Sequence, residues 1–295
     1  MEDLHKISQK SKRVTLANTK DTVIPKEDCG SGNTPLIVTC YYGYTDMVQW
    51  ILHHDVDVNQ CRDDGVTGLD GFTPLIYSCE SNHTSIVQLL LKHKPNIDAQ
   101  TYAGGNALMF SAVNGNLEIT QLLVKNNADC NVCCCSKQSF IDTIKSHSSK
   151  TLEEEKQGSF DYLIKKASSH VADYISKKTV NYVFDIEAGC SPLHFACFMN
   201  RLDVVRCLLD HNANINMTNE DETTPLFFAC ELGNEDIVRL LLDKGADTQI
   251  CRLDGKSPLQ IATDNGHTSI VVVVSEHMKE ATLSSDSCSV VSGSI

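Results

Sequence analysis

Cys130, Cys133, Cys134 and Cys135 are the residues whose type and spacing most directly suggest chemistry. A C-x-x-C step can offer two thiolates to one zinc ion, and four sulfurs could close a tetrahedral site. A redox-responsive role is the related alternative. Against both, three consecutive residues project in divergent directions, and no second Cys/His pair of matching spacing lies nearby. Cys133 also follows Asp129 by four residues, as Cys251 follows Asp247 and Cys61 follows Asp57, so this member of the cluster holds an ordinary loop position. No metal site and no cofactor are therefore expected, with Cys130, Cys133, Cys134 and Cys135 the candidate ligands if zinc binds. His53, His54 and His194 are of the right type for general bases. No phosphate-binding Gly loop, H-E-x-x-H, G-x-S-x-G or kinase signature accompanies them, and no catalytic residue is assigned.

The elements that would position these residues follow from a recurring frame. Thr34-Pro35-Leu36, Thr73-Pro74-Leu75, Ser191-Pro192-Leu193, Thr224-Pro225-Leu226 and Ser257-Pro258-Leu259 share one pattern, and Asn106-Ala107-Leu108 differs only by its missing proline. Pro192, Pro225 and Pro258 recur every 33 residues, and Ala107 follows Pro74 by the same interval. A hydroxyl or amide residue before a proline is a helix start, because the side chain accepts from a free amide and proline needs none. Eight residues past the proline position stand Gly43, Asn82, Gly115, Asn200, Gly233 and Gly266, all tolerant of the left-handed backbone that ends a helix. A second apolar stripe follows each, as in Ile237-Val238 with Leu240-Leu241-Leu242. Each unit is thus helix, turn, helix and a polar loop. Cys40, Cys79, Cys197 and Cys230 stand five residues past the repeat proline, where Ala112 stands in the third unit, and are expected to be buried small side chains.

Period, Thr-Pro-Leu frame, mid-unit Gly and the closing Gly245-Ala246-Asp247 together resemble the ankyrin repeat. Ser191-Pro192-Leu193-His194-Phe195-Ala196 is the copy most similar to the family's Thr-Pro-Leu-His-x-Ala; the other units replace the His by Ile37, Ile76, Met109, Phe227 and Gln260. The resemblance implies an all-α solenoid of stacked helix-turn-helix units with short hairpin-like loops. It spans residues 32–274, with repeats starting near 32, 71, 104, 189, 222 and 255. Residues 137–188 are expected to hold a degenerate seventh repeat with an insertion: Phe140-Ile141 would open its first helix, and Val171 and Ile175 fall on the positions of Val204 and Leu208. Thr151 and Glu154 form a candidate capping box there. A plain loop insertion is the alternative. Residues 1–31 are expected to be a mobile leader and 275–295 a Ser-rich flexible tail.

In the resembling family, partner contacts come from two residues before the proline and six and seven after it. Carried over, these positions include Tyr41 and Tyr42, Phe72, Glu80 and Ser81, Asn114, Phe198 and Met199, Glu231 and Leu232, and Lys256 and Asp264. Tyr41, Tyr42, Phe72, Phe198 and Met199 are the expected anchors on a concave face, since large aromatic and Met side chains on a solvated surface mark interfaces. Packing of these side chains against neighbouring loops is the competing reading. Glu80, Glu231 and Asp264 would favour a partner segment carrying Lys or Arg.

Charge narrows the partners further. With 25 Lys and Arg against 38 Asp and Glu, the formal charge of −13 disfavours nucleic acid and anionic lipid. Residues 1–31 lack the apolar core of a signal peptide, and no run of some 20 apolar residues occurs, so a cytoplasmic protein is expected, with the nucleus also open to it. The implied function is a non-catalytic scaffold or adaptor that binds another protein. A substrate-receptor subunit of a ubiquitin ligase is the variant within that class, and a zinc- or redox-responsive protein is the rival outside it.

Overall fold

The computed structural model describes residues 33–61, 71–148 and 150–289. Within them, six helix pairs run in chain order: α1 Pro35–Tyr42 with α2 Thr45–Leu52, α3 Pro74–Glu80 with α4 Thr84–Lys92, α5 Ala107–Asn114 with α6 Leu117–Lys125, α11 Pro192–Phe198 with α12 Leu202–Asp210, α13 Pro225–Leu232 with α14 Glu235–Asp243, and α15 Pro258–Asp264 with α16 Thr268–Ser289. The first helices form an inner row in the order α1, α3, α5, α11, α13, α15, and the second helices an outer row in the same order. The described residues form no extended strand beyond an isolated bridge between Gln100 and Asn106.

The local chemistry is that of the repeating frame. Thr34, Thr73, Thr224 and Ser257 each accept a hydrogen bond from the amide three residues on, at 3.2, 3.3, 3.2 and 3.2 Å, and Asn106 Oδ1 accepts from the Met109 amide at 2.8 Å. Each such cap stabilises its helix by about 1 kcal/mol. The six residues eight past the proline position all have positive φ, from 56° at Asn200 to 78° at Gly43 and Gly233. Cys40, Cys79, Cys197 and Cys230 are buried between the rows.

Units are stitched as well as packed. The side-chain amides of Asn114, Asn234 and Asn265 donate to the C-terminal carbonyls of the preceding inner helix, at Cys79 and Glu80, Cys197, and Glu231. His83 and His267 reach the carbonyls of Tyr41 and Glu231 in the same way.

Residues 137–188 do not form a seventh stacked unit. α5 packs directly on α11 and α6 on α12, so the repeats on either side of the segment are immediate neighbours. The segment makes four helices of its own, α7 Lys137–His147, α8 Leu152–Lys166, α9 Ser169–Ser176 and α10 Val180–Glu187. It leaves and re-enters at the tip of one hairpin loop, where the Cys134 amide donates to Cys190 O at 2.9 Å and the Gly189 amide to Cys135 O at 3.3 Å. Val171 and Ile175 are buried, as their repeat register requires, but α9 packs on α8 instead of within the inner or outer row. The capping box forms: Thr151 N donates to Glu154 Oε2 at 2.8 Å and Glu154 N to Thr151 Oγ1 at 3.3 Å.

The expected leader, residues 1–31, lies outside the described residues. At the other end, α16 continues through the start of the expected flexible tail to Ser289. Ile270 and Val274 are buried and Met278 packs on the core, which anchors the β-branched run Ile270–Val274 in a helix despite its low propensity. No helix among the described residues is long and apolar enough to cross a membrane.

Candidate partner-binding face

The inner helices and loop tips define the face on which partner contacts were expected, and burial divides the expected residues into two groups. Tyr41 is 40% exposed, and Tyr42, Glu80, Ser81 and Asn114 are half-buried. Phe72 at 6%, Phe198 at 3%, Met199 at 0%, Glu231 at 2% and Leu232 at 1% are buried, which corrects their placement on a solvated surface. Phe72 packs between the tilted rings of Tyr77 and Phe110, with ring centroids 4.6 and 5.3 Å away, and Phe198 meets Phe228 edge-on at 5.4 Å. Asn114 is half-buried because its amide is committed to the end of α3.

Much of the missing exposure is taken by the insertion, which docks across the C-terminal ends of inner helices. Those ends carry free carbonyls and partial negative charge, and cationic or donor groups meet them. Lys166 Nζ donates to Glu80 O at 3.0 Å and pairs with the Glu80 carboxylate at 3.3 Å. Arg201 bridges the units, donating from Nε to Val113 O and from Nη2 to Lys166 O, the latter at 2.6 Å. His170 Nε2 lies 2.7 Å from Leu232 O. Tyr182 Oη donates to the buried Glu231 Oε1 at 2.8 Å, Tyr174 Oη stands 3.2 Å from Tyr182 Oη, and Arg252 Nη1 reaches the same carboxylate at 3.8 Å. Burial and the neighbouring Glu231 push both tyrosine hydroxyls well above their ordinary pKa, so they stay protonated donors.

The acidic side chains expected to attract a basic partner are therefore largely engaged within the molecule. Glu80 pairs with Lys166, Glu231 is in the tyrosine–arginine network, and Asp264 pairs with Lys256 at 2.8 Å. Among the described residues, the N-terminal end of the face keeps exposed aromatic surface. There Tyr41 packs edge-on against Tyr42 and Tyr77, at 5.1 and 5.7 Å, and Tyr42 stacks on Tyr44 at 5.9 Å.

Between this end and the insertion lies a cavity of about 390 Å³. Phe72, Tyr77, Met109 and Phe110 from the repeats face Phe140, Tyr162 and Phe184 from the insertion, with Glu187 and Ser159 among the polar lining. Burial pushes the Glu187 carboxyl up to about 7, against a hydrogen bond from Ser159 that favours the carboxylate. The residues of this wall in the insertion were not anticipated from sequence. The only signals there were the capping box and the apolar pairs, and neither indicates which surface the helices cover.

The suggestive cysteines and histidines have structural partners. Cys133 Sγ lies 3.5 Å from Asn131 O and 3.4 Å from Met217 Sδ, Cys134 Sγ lies 3.1 Å from Met109 Sδ, and Cys135 Sγ donates to Ala103 O at 3.1 Å. These three sulfurs thus turn to different neighbours, and among the described residues no three His, Cys, Asp or Glu side chains converge to hold an ion. Burial holds the Cys130 thiol at about 11 and raises the other three, so the neutral thiol dominates at neutral pH. His194 is fully buried: the Ser191 amide donates to Nδ1 at 3.1 Å, and Nε2 lies 3.0 Å from Thr223 O of the next hairpin. His53 and His54 place Nδ1 2.6 and 2.9 Å from the carbonyls of Gln49 and Trp50 at the end of α2.

Comparison with protein families adds an independent delimitation. Residues 60–133 and 212–285 match the family described as ankyrin repeats (3 copies), and residues 31–63 and 188–220 match the single ankyrin repeat. The matches leave out residues 134–187, which coincide with the insertion seen in the fold. A search of curated proteins finds no match. Ankyrin arrays are general protein–protein interaction modules, typically non-catalytic. With matches over more than half its length and the stacked helix pairs to go with them, the chain belongs to the ankyrin-repeat family.

Proposed function

We propose that this protein is a non-catalytic scaffold or adaptor whose array binds a partner protein at the N-terminal end of its inner face. The observation that carries this reading is the tyrosine cluster: Tyr41 is 40% exposed on an inner helix and is held in place by ring contacts to Tyr42 and Tyr77. A rigid, half-supported aromatic side chain gives large contact area at little entropic cost, which is why such residues anchor interfaces. The central inner helices contribute less, because α8 to α10 already occupy them. A partner segment carrying Lys or Arg is favoured by the net charge of −13 and not by Glu80, Glu231 or Asp264, which are engaged within the molecule. A cytoplasmic setting accords with this role.

The test is an affinity capture with the intact chain, read by quantitative mass spectrometry and repeated with Tyr41→Ala/Tyr42→Ala. The main partner should fall at least about tenfold, as expected for loss of an anchor pair worth more than about 1.4 kcal/mol, while the helical circular-dichroism signal is unchanged. Equal capture by both proteins would reject this surface.

A further inference from the structure

We propose that the cavity between the array and the insertion binds a small organic cation, an ammonium group on an apolar body, with the ammonium at Glu187 and Tyr162 and the body between Phe72, Phe110 and Phe184. The cavity shares Tyr41 and Tyr77 with the tyrosine surface, but the site needs no partner protein, so its test is separate from that of the partner-binding reading.

Three features of the cavity point to this chemistry. Its size, about 390 Å³, suits a small ligand and not a folded segment. Its walls are mainly aromatic and apolar, and ring faces attract a cation as well as an apolar body. Its polar groups leave one carboxylate without an ion-pair partner among the described residues. Glu80 is paired with Lys166, Glu155 accepts from Ser148 Oγ at 3.1 Å, and Lys137 is turned to Asp221 and Asp185 at 2.8 and 3.4 Å. Glu187 has a hydrogen bond from Ser159 and, among the described residues, no ion pair. Exposed Lys150 also lines the cavity but does not offset the burial that pushes the Glu187 carboxyl up to about 7.

Tyr162 supplies the second polar group. Its hydroxyl oxygen is buried, has no hydrogen-bond partner among the described residues, and lies in the negative field of Glu80 and Glu187. An ammonium between them would donate to the Glu187 carboxylate and to a lone pair of Tyr162 Oη, satisfying both. A carboxylate ligand would meet the repulsion of Glu80 and Glu187 instead. A neutral alcohol would gain the apolar contacts but no charge pairing.

The experiment uses the full chain and three probes of one skeleton: 4-phenylbutylamine, 4-phenylbutan-1-ol and 4-phenylbutanoate, titrated by calorimetry at pH 7.5. The amine should bind at least tenfold more tightly than the alcohol and the carboxylate, and Glu187→Gln should bring amine and alcohol within about twofold. Gly158 lines the cavity on α8, and a Cβ added there meets no atom within 4 Å. Gly158 is exposed at the cavity's rim, so the fold accepts Gly158→Leu, and the added side chain should obstruct the cavity and weaken the amine at least tenfold. Equal or tighter binding of the alcohol or carboxylate overturns the proposal, as does absence of amine binding at millimolar concentration, amine preference that survives Glu187→Gln, or amine affinity unchanged in Gly158→Leu. Should Glu187→Gln not fold, the comparison of the three probes on the unmodified chain and the Gly158→Leu variant decide the matter.

Discussion

His194 shows how a residue that looks chemical becomes structural once its surroundings are fixed. Its ring joins the opening of α11 to the hairpin of the next unit through one accepting and one donating nitrogen, a pattern that only the neutral imidazole satisfies. Burial lowers its pKa from 6.5 to about 4. The unfolded chain therefore takes up the proton first as the pH falls. The stability this gives is present in full above about pH 6.5 and is lost progressively down to about pH 4, amounting to about 3 kcal/mol. Thermal unfolding across that window should show a drop that His194→Gln flattens, since Gln260 fills the same position of another repeat; parallel profiles for the two proteins would contradict the assignment. At the same scale, the cysteines are explained by position. Gly104 shows how tightly the loop around Cys134 and Cys135 is stacked, because a Cβ there would stand 2.2 Å from the Cys135 amide nitrogen.

At the scale of elements, the insertion is held by a few buried polar contacts together with apolar packing of residues such as Leu163 and Ile186. Glu231 is the most sensitive of these, since its Oε2 already has no hydrogen-bond partner among the described residues and its Oε1 depends on Tyr182. Tyr182→Phe removes that donor and leaves the buried carboxylate to Tyr174 and to Arg252 at 3.8 Å, which costs about 1–3 kcal/mol. Proteolysis under native conditions should then cut within residues 137–188 faster than in the parent protein while the flanking repeats survive. An unchanged cleavage rate would show that the network does not hold the insertion down.

The same element marks the limit of what sequence could reveal. Caps at Thr34, Thr73 and Thr224 and left-handed residues at Gly43 and Asn82 are set by interactions within a few residues, so a single repeat shows them. The burial of Glu231, in contrast, depends on Tyr182, 49 positions away and in a segment outside the repeat pattern. Val171 and Ile175 carried the right burial signal but a misleading context, because an apolar pair on a helix face does not say which neighbour it meets. Tyr41 remained exposed where Phe198 did not. The difference lies in what covers each position, a property of the assembled chain and not of the two residues.

For the whole molecule, the decisive fact is that the array is continuous without the insertion. α5 already contacts α11, and the hairpin between Cys135 and Gly189 is closed by backbone hydrogen bonds. Replacing residues 136–188 with an Asn-Gly turn should therefore leave a cooperative helical array with less stability than the parent, since Phe198 and Phe228 lose cover. Loss of cooperative unfolding in that variant would mean that the insertion is needed to complete the stack.

Because both ends of the insertion emerge side by side from one loop tip, releasing it from the inner helices would not set it free in solution. It would remain a tethered competitor at an effective concentration on the order of millimolar, so any molecule seeking the central repeats would have to outbind a neighbour that never diffuses away.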